Sequence, residues 1–281
     1  QYAERFLPTW QGNDRIQATV APHAPYSNTI EVLQEANALS QKHDVPWMMH
    51  VSEMDFEVEK YREERGQTPI EFLEEIGVLS PRLVAAHCIH LSDHDIELLK
   101  KYDVKVAHCI GANTKSAKGV ARVRDLLAAG VVVGLGTDGP SSGNTLDLFS
   151  QMRMFANFHK THLQERSAFP AEQIVKLATI GGAKVLGMAE HIGSIEAGKQ
   201  ADIILVETDS VNMFPIFDPY SALVYSANAG NVRDVFIAGK QVVAEKKLVD
   251  FDIRQLRAEL AEAMEQCGFQ SKALSAIERN I

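Results

Sequence analysis

LVAAHCIHLSDHDIELLKKYDVKVAHC, residues Leu83–Cys109, reads as one complete strand–helix–strand unit. Leu83–Cys88 is a short apolar run that ends in His-Cys. Ser92 and Asp95 then open a helix, and Val104–Cys109 is a second apolar run that again ends in His-Cys. Two strands joined through a helix run parallel. The same texture extends in both directions, because Ala18–Ala21, Trp47–Val51 and Val131–Leu135 are further strand-sized runs. Between them lie helices with readable punctuation. Asn28 and Glu31 form an N-cap and N3 pair ahead of the Ile30/Leu33/Ala36/Leu39 periodicity. Thr68-Pro-Ile-Glu71 is a capping box whose helix Gly77 closes, and Gly130 ends a later one. A long helix is expected over Leu146–Leu163, and another from Pro170 to Gly181-Gly182.

Alternation of this kind leaves two α/β architectures, a doubly wound sheet and a (β/α)₈ TIM-type barrel. No G-x-G-x-x-G follows the first run, which weighs against the dinucleotide-binding open sheet. His23, His50, His87, His108 and Asp138 all fall at or just past the ends of successive strands. That rim carries the chemistry of barrel enzymes, so the barrel is the expected fold. Histidine is 10 of 281 residues, so four successive hits at strand ends have a chance on the order of one in ten thousand. Five β/α units are countable, and only about 190 residues precede Gly193 where a typical barrel takes about 250. The expectation is therefore the last five units of a barrel over residues 1–192, with three units belonging upstream and strand edges left open. From Gly193 the pattern becomes antiparallel, with strands at Ala201–Val206, Val232–Ala238 and Gln241–Ala244. This reads as part of a small β-sandwich over 193–248. A helical segment over 249–281 follows, in which Ile253–Met264 places Leu256, Leu260 and Met264 on one face.

Composition narrows the function. Hydrophobic residues make up 46% and charged residues 23%, which excludes a disordered chain or a fibre. With 28 Lys and Arg against 37 Asp and Glu, the net charge of −9 argues against nucleic acid and anionic membranes as partners. It favours a small-molecule substrate. Cys88, Cys109 and Cys267 are odd in number and far apart, so a disulfide framework is not expected. The N-terminus shows no signal-peptide pattern, and no apolar run nears the ~20 residues of a membrane span. A cytoplasmic location is the expectation.

Imidazoles and a carboxylate converging at a barrel mouth suit a borderline metal such as Zn²⁺. Such a site lowers the pKa of water towards neutrality. Asp138 lies in Gly134-Leu-Gly-Thr-Asp-Gly139, where it could bind the metal and accept a proton. Glu53, three residues after His50, is placed to shuttle a proton during hydrolysis of a C–N bond. His50, His87 and Asp138 are expected to share one pocket with Glu53 and His23 on its wall.

At these residues the sequence resembles a known family. Ala21-Pro-His-Ala-Pro-Tyr26, His50-Val-Ser-Glu53, Ala86-His-Cys-Ile-His-Leu91 and Gly136-Thr-Asp-Gly139 resemble motifs of the amidohydrolase superfamily. Within it, the match is to the 5'-methylthioadenosine/S-adenosylhomocysteine deaminase group. Ala178-Thr-Ile-Gly-Gly-Ala-Lys184, Asp218-Pro-Tyr-Ser-Ala-Leu-Val-Tyr225 and the stretch Gly193–Asp202 extend the likeness over nearly the whole chain. The resemblance implies one Zn²⁺ or Fe²⁺ per site, with His50 and Asp138 as ligands. His87 would stabilise the attacking hydroxide and Asp138 would act as general base. Glu53 would bind substrate and relay a proton to the purine ring nitrogen. His23 would contact substrate, and Ser142 matches a family serine near the metal carboxylate. Two departures stand out. The family's first-strand His-x-His pair is absent, and its His-Asn-Pro reads Ala107-His-Cys-Ile-Gly-Ala-Asn113 here.

Two rivals remain open at this point. One is a deaminase or chlorohydrolase of another aromatic amine such as guanine, a pterin or a triazine. The other is a catalytically incomplete half-barrel that serves as a binding module. A homo-oligomer is compatible with either. Met152, Met154, Phe155 and Phe158 read as packing residues at helical spacing, and Cys88 and Cys109 as buried small side chains.

Overall fold

The structure is a computed structural model that describes residues 2–13 and 15–268. Its centre is a parallel sheet in sequence order, β1 (Trp47–Val51), β2 (Leu83–His87), β3 (Lys105–His108) and β4 (Val133–Leu135). Helices follow each strand, which is the α/β alternation read from the sequence. The fifth expected strand, Ala18–Ala21, is instead an isolated parallel bridge at Val20 opposite Trp47. Its backbone still tracks β1, because Met48 N donates to Val20 O at 2.9 Å and His50 N donates to His23 O at 3.0 Å. Pro22 and Pro25 supply no N–H, so a ladder cannot continue there.

Caps fix where the helices begin. Thr68 and Ser92 both form full capping boxes, with Glu71 and Asp95 as their partners. The buried Asp95 also accepts from Thr68 Oγ1 at 2.5 Å, which bolts the helix Asp93–Lys101 to Pro69–Glu75. The helix Ile30–His43 is capped by Thr29, whose side chain accepts from Val32 N, and not by Asn28. Asn28 instead donates to Ala24 O at 2.9 Å and holds the preceding turn.

The long helix spans Leu148–Leu163. The one expected to stop at Gly181-Gly182 continues through a π turn, Leu177–Gly181, into Gly182–Val185. These glycines serve close approach and not termination. A Cβ on Gly134 of β4 would lie 2.8 Å from Gly182 Cα, and one on Gly181 would lie 2.9 Å from Val133 O. The helix therefore rests backbone to backbone on β4. Trp47, Leu83, Val106 and Val133 lead an apolar core that is continuous from Leu7 to Ala227.

An antiparallel sheet of β5 (Ile203–Val206), β6 (Val232–Ile237), β7 (Lys240–Ala244) and β8 (Lys247–Leu248) follows. Among the described residues this is one sheet and not two packed sheets. The helix Ile253–Gln266 forms as its pattern demands, but none of its residues is buried, and Leu256 and Leu260 stand exposed. The rest of the expected 249–281 segment, residues 269–281, lies outside the described residues. Among the described helices none is long and apolar enough to cross a membrane.

Candidate active site

Strand alternation sets the place of His50. Trp47, Met49 and Val51 of β1 point into the core, while Met48 and His50 stay half-buried on the other face. His50 Nδ1 lies 2.7 Å from His23 O, so that nitrogen donates to the carbonyl and Nε2 is the one near Asp138. His87 ends β2 with φ +71°, and Cys88 follows at φ +47°. Two consecutive non-glycine residues in the left-handed region are uncommon and turn the chain sharply at the strand end. Asp138, three residues beyond β4, is likewise left-handed at φ +59°. Its Oδ1 accepts the Gly139 N–H at 2.6 Å.

The three side chains meet. His23, His50, His87 and Asp138 line one cavity of about 570 Å³, whose other walls include Met48, Ala86, Ala107, Leu135 and Val185. His50 Nε2 is 4.0 Å from Asp138 Oδ1, and His87 Nε2 is 3.9 Å from Asp138 Oδ2. Glu53 Oε1 lies 3.5 Å from the same His87 nitrogen. The rings of His50 and His87 stack at 5.2 Å, and His23 stands 5.0 Å from His50. His23 Nδ1 is 2.8 Å from Ser27 Oγ, which fixes its ring edge-on to Tyr26. Ser142 stands close enough to help to lower the Asp138 carboxyl.

The arrangement fits a cation. His87 Nδ1 is 2.7 Å from Asn113 Oδ1, so Nε2 presents a lone pair, and it is buried without a hydrogen-bond partner. Donors bonded at ~2.1 Å to one tetrahedral ion stand about 3.4 Å apart, close to the spacings found here. By distance, His50, Glu53 and His87 form a set whose ligand atoms lie within 4.8 Å of one another, and Asp138 borders the same point. The set overlaps the pair read from the sequence, His50 and Asp138, but does not coincide with it.

Burial dominates the electrostatics. It holds His87 below the ordinary imidazole value, against the Glu53 charge and the bond to Asn113, so the ring is neutral near pH 7. Burial also raises the Asp138 carboxyl, but the Gly139 N–H, the Ser142 hydroxyl and the two histidines outweigh it. The net position is below the usual carboxylate value. Burial pushes the Cys88 thiol up and the Cys109 thiol to about 12, so both stay protonated. They are the small buried residues expected.

His108 departs from the pattern. It ends β3 as His87 ends β2, yet it is fully buried away from the cavity, with Nε2 3.0 Å from His159 Nε2. Phe155 packs against both rings, and Phe169 against Phe155 and His159. Burial drives His108 well below its ordinary value and His159 to about 3. A buried neutral histidine binds fewer protons folded than unfolded. Its stabilisation is complete above pH 6.5 and is lost as pH falls below 6.5, at about 1.4 kcal/mol per pH unit and histidine. Urea midpoints between pH 7.5 and pH 4.5 are expected to fall less steeply in a His108→Phe/His159→Phe variant than in the parent. Equal slopes would contradict this.

Two residues of the site were not found by motif. Glu57 is fully buried one turn beyond Glu53, and its Oε2 accepts the Glu53 N–H at 2.9 Å. Burial raises its carboxyl to about 7 against three backbone N–H bonds. Its place in the first turn of the helix Asp55–Arg65 was a usable signal. Lys118, which forms an ion pair with Glu53 Oε1, gave none, because 65 residues separate the two.

The amidohydrolase family model matches residues 2–242. A 5-methylthioadenosine/S-adenosylhomocysteine deaminase of Syntrophobacter fumaroxidans is 39% identical over 91% of this chain and 58% of its own length. A 5'-deoxyadenosine deaminase of Methanothermobacter thermautotrophicus is 41% identical over 89% of this chain and 58% of its own. Among solved structures, an adenosine deaminase from Xanthomonas campestris with bound zinc superposes with a TM-score of 0.90. It is 34% identical and covers 94% of this chain and 60% of its own. The chain thus spans about three fifths of the length of the relatives it matches.

Proposed function

The chain belongs to the amidohydrolase family, and from that premise we propose that its site serves the metal-dependent hydrolytic deamination of an adenine-type nucleoside. The substrate class is that named for its relatives, 5'-modified adenosines such as methylthioadenosine and S-adenosylhomocysteine. The observation that carries the reading is the buried, unpartnered His87 Nε2, which stands 3.5 Å from Glu53 and 3.9 Å from Asp138. What sets this nitrogen apart is its place between two carboxylates, where a bound cation would satisfy all three groups at once. The parallel strands are read as the last units of a (β/α)₈ barrel, with this rim as its active face.

His50 and Asp138 would hold Zn²⁺ or Fe²⁺, which supplies Lewis acidity that makes water nucleophilic near neutral pH. The chain's own residues then do the following work. His23 O orients the His50 ring, and His23 itself contacts the substrate. Asp138, held anionic by the Gly139 N–H, takes the proton of the attacking water. His87 Nε2 accepts a hydrogen bond from that water and fixes its line of attack. Glu53 relays one proton of the water to the purine ring nitrogen as C6 accepts the oxygen, and Asp138 passes the other to the amino group, which departs as ammonia. Cys88, Cys109 and Cys267 are all free, in keeping with a reducing, cytoplasmic setting.

Metal analysis of the purified whole protein tests the reading. About one ion per chain is expected, lost in His50→Ala and retained in His23→Ala. His23→Ala should raise KM more than it lowers kcat. Metal content that ignores His50 would overturn the assignment.

A further inference from the structure

Glu53 is gripped from two directions. Glu57 holds its backbone N–H, and Lys118 Nζ pairs with its carboxylate at Oε1. Both members of that ion pair are largely shielded, with side chains 14% exposed for Lys118 and 9% for Glu53. Oε2 has no protein donor among the described residues. The carboxylate therefore has one oxygen tied by Lys118, 3.5 Å from His87 Nε2, and the other unengaged.

The position of Lys118 is itself built. Its backbone N–H donates to Asn113 O at 2.9 Å, and the side chain of the same Asn113 accepts from His87 Nδ1 at 2.7 Å. One residue thus sets both the imidazole and the lysine that face Glu53 Oε1. Lys118 also sits between Ala117 at φ +55° and Gly119 at φ +117°. A Cβ on Gly119 would meet Ile89 Cγ2 at 3.1 Å. Two left-handed residues in three confine that turn to a narrow set of shapes.

We propose that Lys118 is a positioning residue for the reaction: it holds the Glu53 carboxylate so that its second oxygen meets the ring nitrogen of the substrate. The proposal rests on the deaminase reading for its kinetic arm alone. A carboxylate on a two-methylene stem rotates freely unless one oxygen is tied, and a fixed ammonium ties it through a charge-assisted bond. Misplacing a reacting group by about 1 Å lowers a rate by about 100-fold. The contact it sets matters most as the ring nitrogen takes up its proton, so the loss is expected on kcat more than on KM.

Two measurements on the whole, metal-loaded protein test it. The first is kinetic. Lys118→Met is expected to lower kcat by about 10- to 100-fold with less effect on KM and none on metal content, and Lys118→Arg to restore most of the loss. Adding Lys118→Met to Glu53→Gln should slow the enzyme no further, because the lysine acts through that carboxylate. Wild-type kcat in Lys118→Met, or fully additive losses in the double variant, would overturn the proposal. Lys118→Gln keeps a donor without the charge and serves where the Met variant does not fold; a full rate there overturns it equally. If Glu53→Gln itself is fully active, it is the deaminase reading that fails.

The second measurement does not need turnover. Competitive acetylation of lysines should find Lys118 protected relative to Lys42, which is 61% exposed, and unmasked in Glu53→Ala, which removes the acceptor. Lys118 that reacts as fast as Lys42 in the parent protein would remove the ion pair and the proposal with it.

Discussion

Asp138→Asn is expected to remove turnover almost completely and to lower metal content with it. The side chain has two tasks in the proposed reaction, ligand and base, and an amide performs neither. Its oxygen could still accept the Gly139 N–H that now holds Oδ1 at 2.6 Å, so the turn should survive. The other position would present an N–H₂ group towards His87, beside the point proposed for the ion. Loss of general-base action alone takes about 10²–10⁴ from a rate, and loss of metal adds to that. Rates below one part in ~10⁴ with less than stoichiometric zinc are the expected readout. Retention of both would show that the acid–base and metal roles lie elsewhere in the cluster.

Glu53→Gln should separate the two roles. Glutamine keeps the shape and can still accept from Lys118, so the loop and the metal are expected to stay. What it cannot do is carry a proton to the ring nitrogen. A fall of about 10²–10⁴ in kcat with metal content unchanged is the prediction. Zinc loss as severe as in Asp138→Asn would instead make Glu53 a ligand, as its closeness to His50 and His87 allows.

The parts of this site that were legible in the sequence share one cause. In a parallel β/α array the strand ends form a common rim, so His50, His87 and Asp138 announce their convergence by position alone. The same logic misplaced His108. Its sequence context, Val-Ala-His-Cys, is nearly that of His87, Ala-Ala-His-Cys. What separates them is a partner on a distant helix, since His159 and Phe155 of Leu148–Leu163 draw His108 into the core. No local pattern carries that information.

Backbone detail failed for similar reasons. The apolar run Ala18–Ala21 has strand composition, but the prolines around His23 deny it a ladder. Gly181-Gly182 looks like a helix stop, because glycine at a helix end is common. Here the missing side chains let the helix settle on β4 at Gly134, a long-range contact invisible to periodicity. The stripe Leu256/Leu260 fixes a helix correctly and says nothing about what covers it. Lys118 is the plainest case, since a lysine in Ser-Ala-Lys-Gly reads as solvated until Glu53 is placed beside it.

The most direct test of the central claim follows ammonia release and the adenine-to-hypoxanthine absorbance change in the whole protein, first after chelation and then after zinc is restored. Methylthioadenosine, S-adenosylhomocysteine and 5'-deoxyadenosine are the substrates to offer. The account predicts no turnover in the chelated protein and stoichiometric ammonia and hypoxanthine product once about one zinc per site is bound. Turnover that persists without metal, or a zinc-loaded protein inert towards every adenosine offered, would contradict it.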